Sequence, residues 1–382
     1  MESYYRYEFS SPVKINAGHR ALEHLPFELR AFNAVKPLVV TNKDLAGRGV
    51  VTAVVDAFKD SGLVIGIFDA VPEGPDVKLI RDLAGLYRDK GFDAVIGLGG
   101  GAVADTAKVL NVVVSAGPEY LAKAAGGNQV PGPLKPFFLL PAGVWDGREM
   151  SRFAELDERK YDSPHLMPDL AVLDPRLMVA EPLAVIAASV LMTMAQAADA
   201  GLGPERNPLT GAYAAGALSI IQRHLALIVA DPEDRSARLA LANAACFAGC
   251  AFSNLGPGMA YGLGRAVALT GGLSPGVSMG AILPYVLAYY RRRYGTGIES
   301  PLPGESGFSG GAQGCSRMEA EDTVKDILGR ILKAGAGYAS LREAGFQESA
   351  LNEAAEKAAG GNYSRDDSLE VLKQALNGAT EP

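Results

Sequence analysis

The sequence predicts an α/β domain over residues 1–178 followed by an all-α domain over 179–382. Three observations carry this. Short apolar runs alternate with amphipathic stretches through the first 175 or so residues. After Asp174-Pro175 the chain turns Ala- and Leu-rich, with no convincing strand. And 382 residues, at roughly 150 per domain, call for two cores.

Strands are expected at Lys36 to Thr41, Val64 to Phe68, Ala94 to Leu98 and Phe137 to Leu140. Runs of this kind with almost no polar alternation suit strands covered on both faces, as in a parallel sheet flanked by helices. The stretches Gly49 to Ser61 and Val77 to Lys90 are amphipathic and long enough for right-handed crossovers. Beyond Pro182, helices are expected at Pro182 to Ala200, Gly211 to Ala230, Asp234 to Ser253, Met279 to Arg293, Glu319 to Ala344 and Ser368 to Leu376. Gly295 to Gly314 is rich in Gly, Ser and Pro and reads as a mobile loop.

Composition narrows the function classes. A formal charge of −7 with scattered Lys and Arg offers no footprint for a nucleic-acid backbone or anionic lipid. The N-terminus lacks the basic, apolar and small-residue order of a signal peptide. No apolar run reaches the roughly 18 residues of a membrane span once interrupting charges and glycines are counted. The expectation is a soluble, cytoplasmic protein. Three cysteines are too few for a disulfide framework. Cys246 and Cys250 share a helix face, where their small apolar surroundings point to packing.

The most informative segment is Asp93 to Lys108, DAVIGLGGGAVADTAK. An apolar strand runs into Gly99-Gly100-Gly101 and then into a helix-compatible stretch. Glycines permit close approach of a pyrophosphate, and first-turn amides with the helix dipole favour its charge. Three glycines also suit any tight strand-to-helix turn, but the carboxyl end of a central strand is where open α/β sheets place ligands. The spacing is neither GxGxxG nor a P-loop.

GGGAVADTAK, Gly99 to Lys108, resembles the GGGSxxDxAK signature of the iron-containing alcohol dehydrogenases, a family that includes glycerol dehydrogenases and maleylacetate reductases. Collinear matches extend through LVVTNKDL (Leu38 to Leu45), PDLAVLDP (Pro168 to Pro175), AFSN (Ala251 to Asn254) and GAILPYVL (Gly280 to Leu287). The resemblance implies a dehydroquinate synthase-like fold: a dinucleotide-binding α/β domain, a helical domain and a substrate cleft between them. It places Gly99, Gly100 and Gly101 at the cofactor pyrophosphate, with Asp105 and Lys108 in the helix that follows. Ala102 replaces the usual Ser. Where many NAD-dependent members carry an acid for the adenosine ribose, this chain has Asn42, beside Lys43. That pair does not repel a 2′-phosphate, so NADP is slightly favoured over NAD. Asn42 is equally suited to a simple turn.

The metal ligands of the family are not retained. Its Asp and His, four apart, align with Val190 and Met194 in ASVLMTMAQA. The two further His positions fall on Tyr261 and Pro275. The chain has four histidines, His19, His24, His165 and His224, none paired at ligand spacing, so no catalytic metal is expected. Hydride acceptance by a carbonyl still develops an oxyanion that needs stabilisation. Tyr261, as proton donor, and Arg265, replacing the second His of HxxxH as an electrostatic clamp, are i,i+4 neighbours that could do this. Alternatively, Tyr261 fills vacated space and Arg265 forms a salt bridge. Asp146, in PAGVWDGREMS where the family has its PTTAGTGSE segment, resembles the substrate-contacting Asp of the glycerol-dehydrogenase branch. As Asp-Gly it also suits a turn.

The reading is therefore a metal-independent NAD(P)H-dependent oxidoreductase, reducing a carbonyl, imine or conjugated double bond of a small molecule. The alternatives are a dinucleotide-binding protein without redox turnover, or a non-redox lyase or cyclase on the same fold. The family commonly dimerises through an N-terminal strand, for which Tyr7 to Ile15 is available, so a homodimer is expected.

Overall fold

A computed structural model describes residues 6–126, 129–143, 145–157, 159–179, 181–295, 317–359 and 363–378, the side chains of 317–319 excepted. The expected loop from 296 onward, Cys315 and Val144 lie outside the described residues. The chain divides into two compact units. An α/β unit comprises Ser11–Glu181 with Glu233–Cys246, and a helical unit comprises Met1–Ser10, Pro182–Pro232 and Phe247–Pro382. By contacts, residues 233–246 group with the α/β unit although they lie far along the chain.

The α/β unit runs β1 (Lys14–Ala17), α1 (Leu25–Ala31), β2 (Pro37–Val40), α2 (Lys43–Gly47), α3 (Val50–Phe58), β3 (Gly66–Phe68), α4 (Val77–Lys90), β4 (Ala94–Leu98), α5 (Gly101–Ala116), α6 (Tyr120–Lys123), β5 (Phe137–Leu140), β6 (Phe153–Leu156), β7 (Arg159–Asp162) and β8 (Leu170–Leu173). Six strands form one parallel sheet in the order β1-β8-β5-β4-β2-β3, and β6 and β7 form a separate antiparallel hairpin. The fully buried strands β2, β4, β5 and β8 alternate their side chains between two cores. Leu38, Val40, Val95, Phe137 and Leu139 meet α4 and α5 on one face. Val39, Ile96, Leu98, Phe138 and Leu140 meet α1 and α3 on the other. This two-sided burial is why the strands read as unbroken apolar runs.

The predicted strand at Val64 to Phe68 begins only at Gly66, because it is a half-exposed sheet edge. The stretch Tyr7 to Ile15 is strand only from Lys14, where β1 forms the other edge and pairs with β8. α4 has the predicted bounds. Asp76 caps it by accepting from the Leu79 amide at 2.8 Å, and Gly91 ends it in the left-handed conformation.

The helical unit contains α7 (Leu183–Leu202), α8 (Pro208–Ala230), the C-terminal part of α9 (Arg235–Leu255), α10 (Met259–Gly271), α11 (Pro275–Tyr294), α12 (Arg317–Lys333), α13 (Leu351–Ala358) and α14 (Arg365–Asn377). α10 is additional to the sequence expectation; glycines at 258 and 272 bound it. The helix expected to reach Ala344 stops at Lys333, ahead of Gly335 at φ 67°. One expectation is corrected. α7 and α8 are long and apolar enough to cross a membrane by length and composition, because alanine and leucine sustain hydropathy without a conspicuous run. In α7, 78% of that window is buried inside the protein, and in α8 33%, so α7 is a core helix of its unit.

Candidate functional site

The glycine turn lies at the carboxyl end of β4, the strand at which the sheet order reverses. From β2 the chain moves outward to β3, then returns across β2 to β4. The crevice outside such a switch point is the ligand position of open α/β sheets. The Thr41 hydroxyl donates to the Leu98 carbonyl at 2.7 Å, holding the ends of β2 and β4 together. Gly99 has φ +140° and Gly101 φ +50°, conformations that L side chains rarely adopt. A Cβ on Gly99 would press on Leu45 and Val103 at 3.0 and 3.2 Å, whereas one on Gly101 would meet open space. Gly100 caps the 16-residue helix α5 without a side-chain hydrogen bond of its own, and in the first turn the Val103 amide donates back to the Gly100 carbonyl at 3.1 Å. A shallow recess lies here, lined by Gly99, Gly100, Pro141, Asp146, Arg148 and Glu149 among others.

The polar groups around the recess form one connected set. Asp146 Oδ2 accepts from the Gly101 amide at 3.0 Å and from Arg148 Nε at 2.9 Å. Arg148 Nη1 donates to Asp105 Oδ1 at 2.9 Å. Asp105, Asp146 and Glu149 are all buried. Burial lifts the Asp105 carboxyl above its usual range against the pull of Arg148, and it depresses the Lys108 ammonium. Lys108 donates to the carbonyls of Ser151 and Phe153 at 2.5 and 2.9 Å, so it braces the segment leading into β6 rather than presenting charge to the recess. Glu149 accepts from the Cys246 thiol at 3.2 Å, and burial pushes its pKa up to about 7. Trp145 is buried, its indole donating to Met178 Sδ at 3.0 Å, which anchors the Asp146 loop.

Asn42 caps α2, accepting from the Leu45 amide at 2.9 Å. Its side chain is thus engaged as a helix cap beside the glycine turn, with Lys43 exposed next to it.

In the helical unit, Val190 and Met194 of α7 and Tyr261 of α10 are buried, and the Tyr261 ring lies 4.6 Å from that of Phe252. Arg265 is half-buried one turn along. The first turn of α10 rests on Asp199 of α7. That carboxylate accepts from the amides of Ala260 and Tyr261, each at 2.9 Å, and from the Tyr290 hydroxyl at 2.7 Å. Tyr363 lies 3.0 Å beyond Tyr290, hydroxyl to hydroxyl. Burial raises Asp199 to about 6. Sequence reasoning missed Asp199, Arg148, Glu149 and the Glu149–Cys246 contact. A lone acid in the apolar run of α7 was the available signal for the first.

Residues 12–175 match the description "Iron-containing alcohol dehydrogenase", and residues 186–375 match "Fe-containing alcohol dehydrogenase family, C-terminal". The chain belongs to the iron-containing alcohol dehydrogenase family. Among its curated relatives, the long-chain-alcohol dehydrogenase 1 of Geobacillus thermodenitrificans is 30% identical over 89% of this chain and 87% of its own length. The NAD-dependent methanol dehydrogenase of Bacillus methanolicus is 28% identical over 74% and 75%. The solved alcohol dehydrogenase from Oenococcus oeni shares the fold, with a TM-score of 0.83 at 22% identity over 97% of this chain and all of that one. Membership of this family and its alcohol and aldehyde dehydrogenase relatives make the chain an oxidoreductase at that level.

The two groups the family implies fare differently here. The residues fit a dinucleotide: a glycine turn with open space beside Gly101, the first turn of α5 with Asp146 on its Gly101 amide, and a recess at the switch point. They do not fit the metal. The residues that the resemblance sets at the ligand positions, Val190, Met194, Tyr261 and Pro275, offer an isopropyl, a thioether, a phenol and a pyrrolidine. Among the described residues no three His, Cys, Asp or Glu are grouped to hold an ion.

Proposed function

We propose that this family member is a metal-independent NAD(P)H-dependent reductase of a carbonyl, an imine or a conjugated double bond in a small molecule. The reading rests on the family resemblance, which sets Val190, Met194 and Tyr261 at the metal-ligand positions, and is supported by the burial of these side chains and by the glycine turn. The bound dinucleotide supplies the hydride. The chain's own residues must then meet the negative charge that develops on the substrate, a task that preorganised donors perform well in a buried site. Tyr261 supplies a proton from its hydroxyl, and the guanidinium of Arg265 stabilises the charge. The backbone amide of Tyr261 is held by Asp199, which limits the freedom of the first turn of α10. Asp146, fixed to Gly101 and Arg148, orients substrate from the α/β unit.

For the dinucleotide we propose contacts from Gly99, Gly100 and Gly101, with Asp105 and Lys108 supporting α5 and Asn42 near the adenosine ribose. NADP is slightly favoured by the Asn42–Lys43 pair, while the methanol dehydrogenase relative is NAD-dependent by name. A soluble, cytoplasmic homodimer completes the proposal. The apolar face that α8 leaves uncovered, including Leu227 at 50% exposure, supports self-association.

The test is oxidation of NADH and NADPH against a panel of aldehydes, ketones, imines and enoates, with and without chelator. Turnover unchanged by chelator and by added zinc or iron(II) supports the reading. Turnover that appears only with added metal overturns it. Nucleotide binding without turnover on any substrate favours a dinucleotide-binding protein with no redox role.

A further inference from the structure

Glu149 is the carboxyl of the recess without a cationic partner. Arg148 is engaged with Asp105 and Asp146 at 2.9 Å each, and Lys108 is spent on two carbonyls. Glu149 receives only the Cys246 thiol from another residue, and among the described residues it makes no ion pair. The groups that face it are Asp105 and Lys108 from α5, Asp146 and Arg148 from its own loop, and Cys246 from α9. Glu149 lines the recess with Gly99, Gly100, Asp146 and Arg148, two carboxyls against one guanidinium that Asp105 also engages.

Resting on the dinucleotide reading above, we propose that Glu149 makes binding proton-linked: it takes up one proton from solvent as the dinucleotide pyrophosphate enters the recess. A pyrophosphate adds negative charge to a pocket already holding one carboxylate more than its cations balance, and a like charge nearby disfavours the ionised form of a carboxyl. Burial, reinforced by the neighbouring Asp146, already brings Glu149 to about 7, so the bound state needs only a further rise to hold the proton through pH 8. Arg148 remains paired with Asp146 and Asp105. Once neutral, Glu149 no longer repels the phosphates.

By linkage, affinity is independent of pH well below 7 and falls toward about tenfold per pH unit above it, until the bound form also loses its proton. Calorimetric titration of the full chain with NAD+ and with NADP+, at pH 8 in two buffers of different ionisation enthalpy, reads the proton number directly. Wild type is expected to take up close to one proton at pH 8 and almost none at pH 5.5. Glu149→Gln is expected to bind with a flat pH profile and no uptake. Comparing the two variants with one nucleotide cancels the titration of the NADP+ 2′-phosphate itself.

Cys246→Ala guards against a Glu149→Gln variant that does not fold. It removes a donor that favours the carboxylate, so it should move the fall in affinity to higher pH. Zero uptake in wild type with normal binding overturns the inference alone, as does uptake that persists in Glu149→Gln, which would assign the proton to Lys108 or Asp105. Failure of wild type to bind either nucleotide at any pH overturns the dinucleotide reading and this inference together.

Discussion

Asp146 sits on the Gly101 amide: one carboxylate oxygen accepts from that first-turn N–H at 3.0 Å while the Arg148 guanidinium holds the same oxygen at 2.9 Å. The protein thus places its own anion at the end of α5 where helix geometry favours one. A phosphate arriving at the turn meets that charge. Asp146→Asn keeps an acceptor for Gly101 and removes the charge, so nucleotide affinity should tighten by roughly three- to tenfold, an effect of about 1 kcal/mol. Equilibrium fluorescence titration with NADH and NADPH measures it. Weaker binding would show that the carboxylate assists the phosphate rather than competing with it.

Arg148 neutralises two buried acids, and its loss strands both. Removing one partner of a buried pair costs about 3–5 kcal/mol, because the remaining charge is left uncompensated. Arg148→Gln should therefore lower stability by that order in urea denaturation at pH 8. The double variant Arg148→Gln with Asp105→Asn should recover a large part of the loss. No recovery would mean that the guanidinium acts through packing instead.

Tyr261 is the phenol that the proposed chemistry requires. Proton transfer by a positioned side chain contributes about 10²–10⁴-fold, so Tyr261→Phe should lower kcat on the best carbonyl substrate within that range while leaving the affinity for NADH unchanged. Phe preserves the ring packing on Phe252, so the fold survives the change. An unchanged kcat removes the hydroxyl from the mechanism and leaves Tyr261 as a packing residue against Phe252.

Much of this was legible in the chain itself, for reasons visible at particular residues. β4 and β5 were plain because both faces are buried, and α4 because Asp76 and Gly91 mark its ends. The glycine turn announced itself through Gly99 to Gly101. The edge strands β1 and β3 were hard to read since exposure lets polar residues interrupt them. The recess chemistry was hidden for a different reason. Arg148 joins Asp105 across 43 positions and Cys246 meets Glu149 across 97. Long-range pairs leave no local pattern, and neither residue type is unusual where it stands. The exchange of 233–246 into the α/β unit is equally silent, as α9 is a continuous helix through the boundary.

Glu149 and Asp199, together with Asp105, are buried acids that shape the pH dependence of stability. Glu149 rises to about 7 and Asp199 to about 6 on folding, so between their ordinary values and these the folded chain binds more protons than the unfolded one. Stability from these groups is therefore greatest in acid and declines as pH rises through that window. Each tenfold change in proton affinity is worth about 1.4 kcal/mol, so Glu149→Gln should be more stable than wild type at pH 8 by roughly 1–3 kcal/mol, and the advantage should vanish near pH 4. Denaturation curves at both pH values check the sign. An equal effect at both would show that Glu149 does not titrate in the fold.

Asp199 has the opposite character when it is deleted rather than neutralised. It gathers the Ala260 and Tyr261 amides and the Tyr290 hydroxyl on one buried carboxyl; Ala in its place leaves both amides without an acceptor, while the Tyr290 hydroxyl can turn to Tyr363. Each stranded buried group costs about 1–3 kcal/mol, so Asp199→Ala should lose roughly 2–6 kcal/mol. Asp199→Asn retains an acceptor oxygen and should lose much less. Because two of those donors belong to the first turn of α10, even a folded Asp199→Asn variant should loosen Tyr261, lowering kcat while leaving the affinity for NADH in place. Hydrogen exchange at the Ala260 and Tyr261 amides separates the two effects: faster exchange together with a lower kcat links the carboxylate to the position of Tyr261, whereas unchanged exchange confines Asp199 to holding the core together.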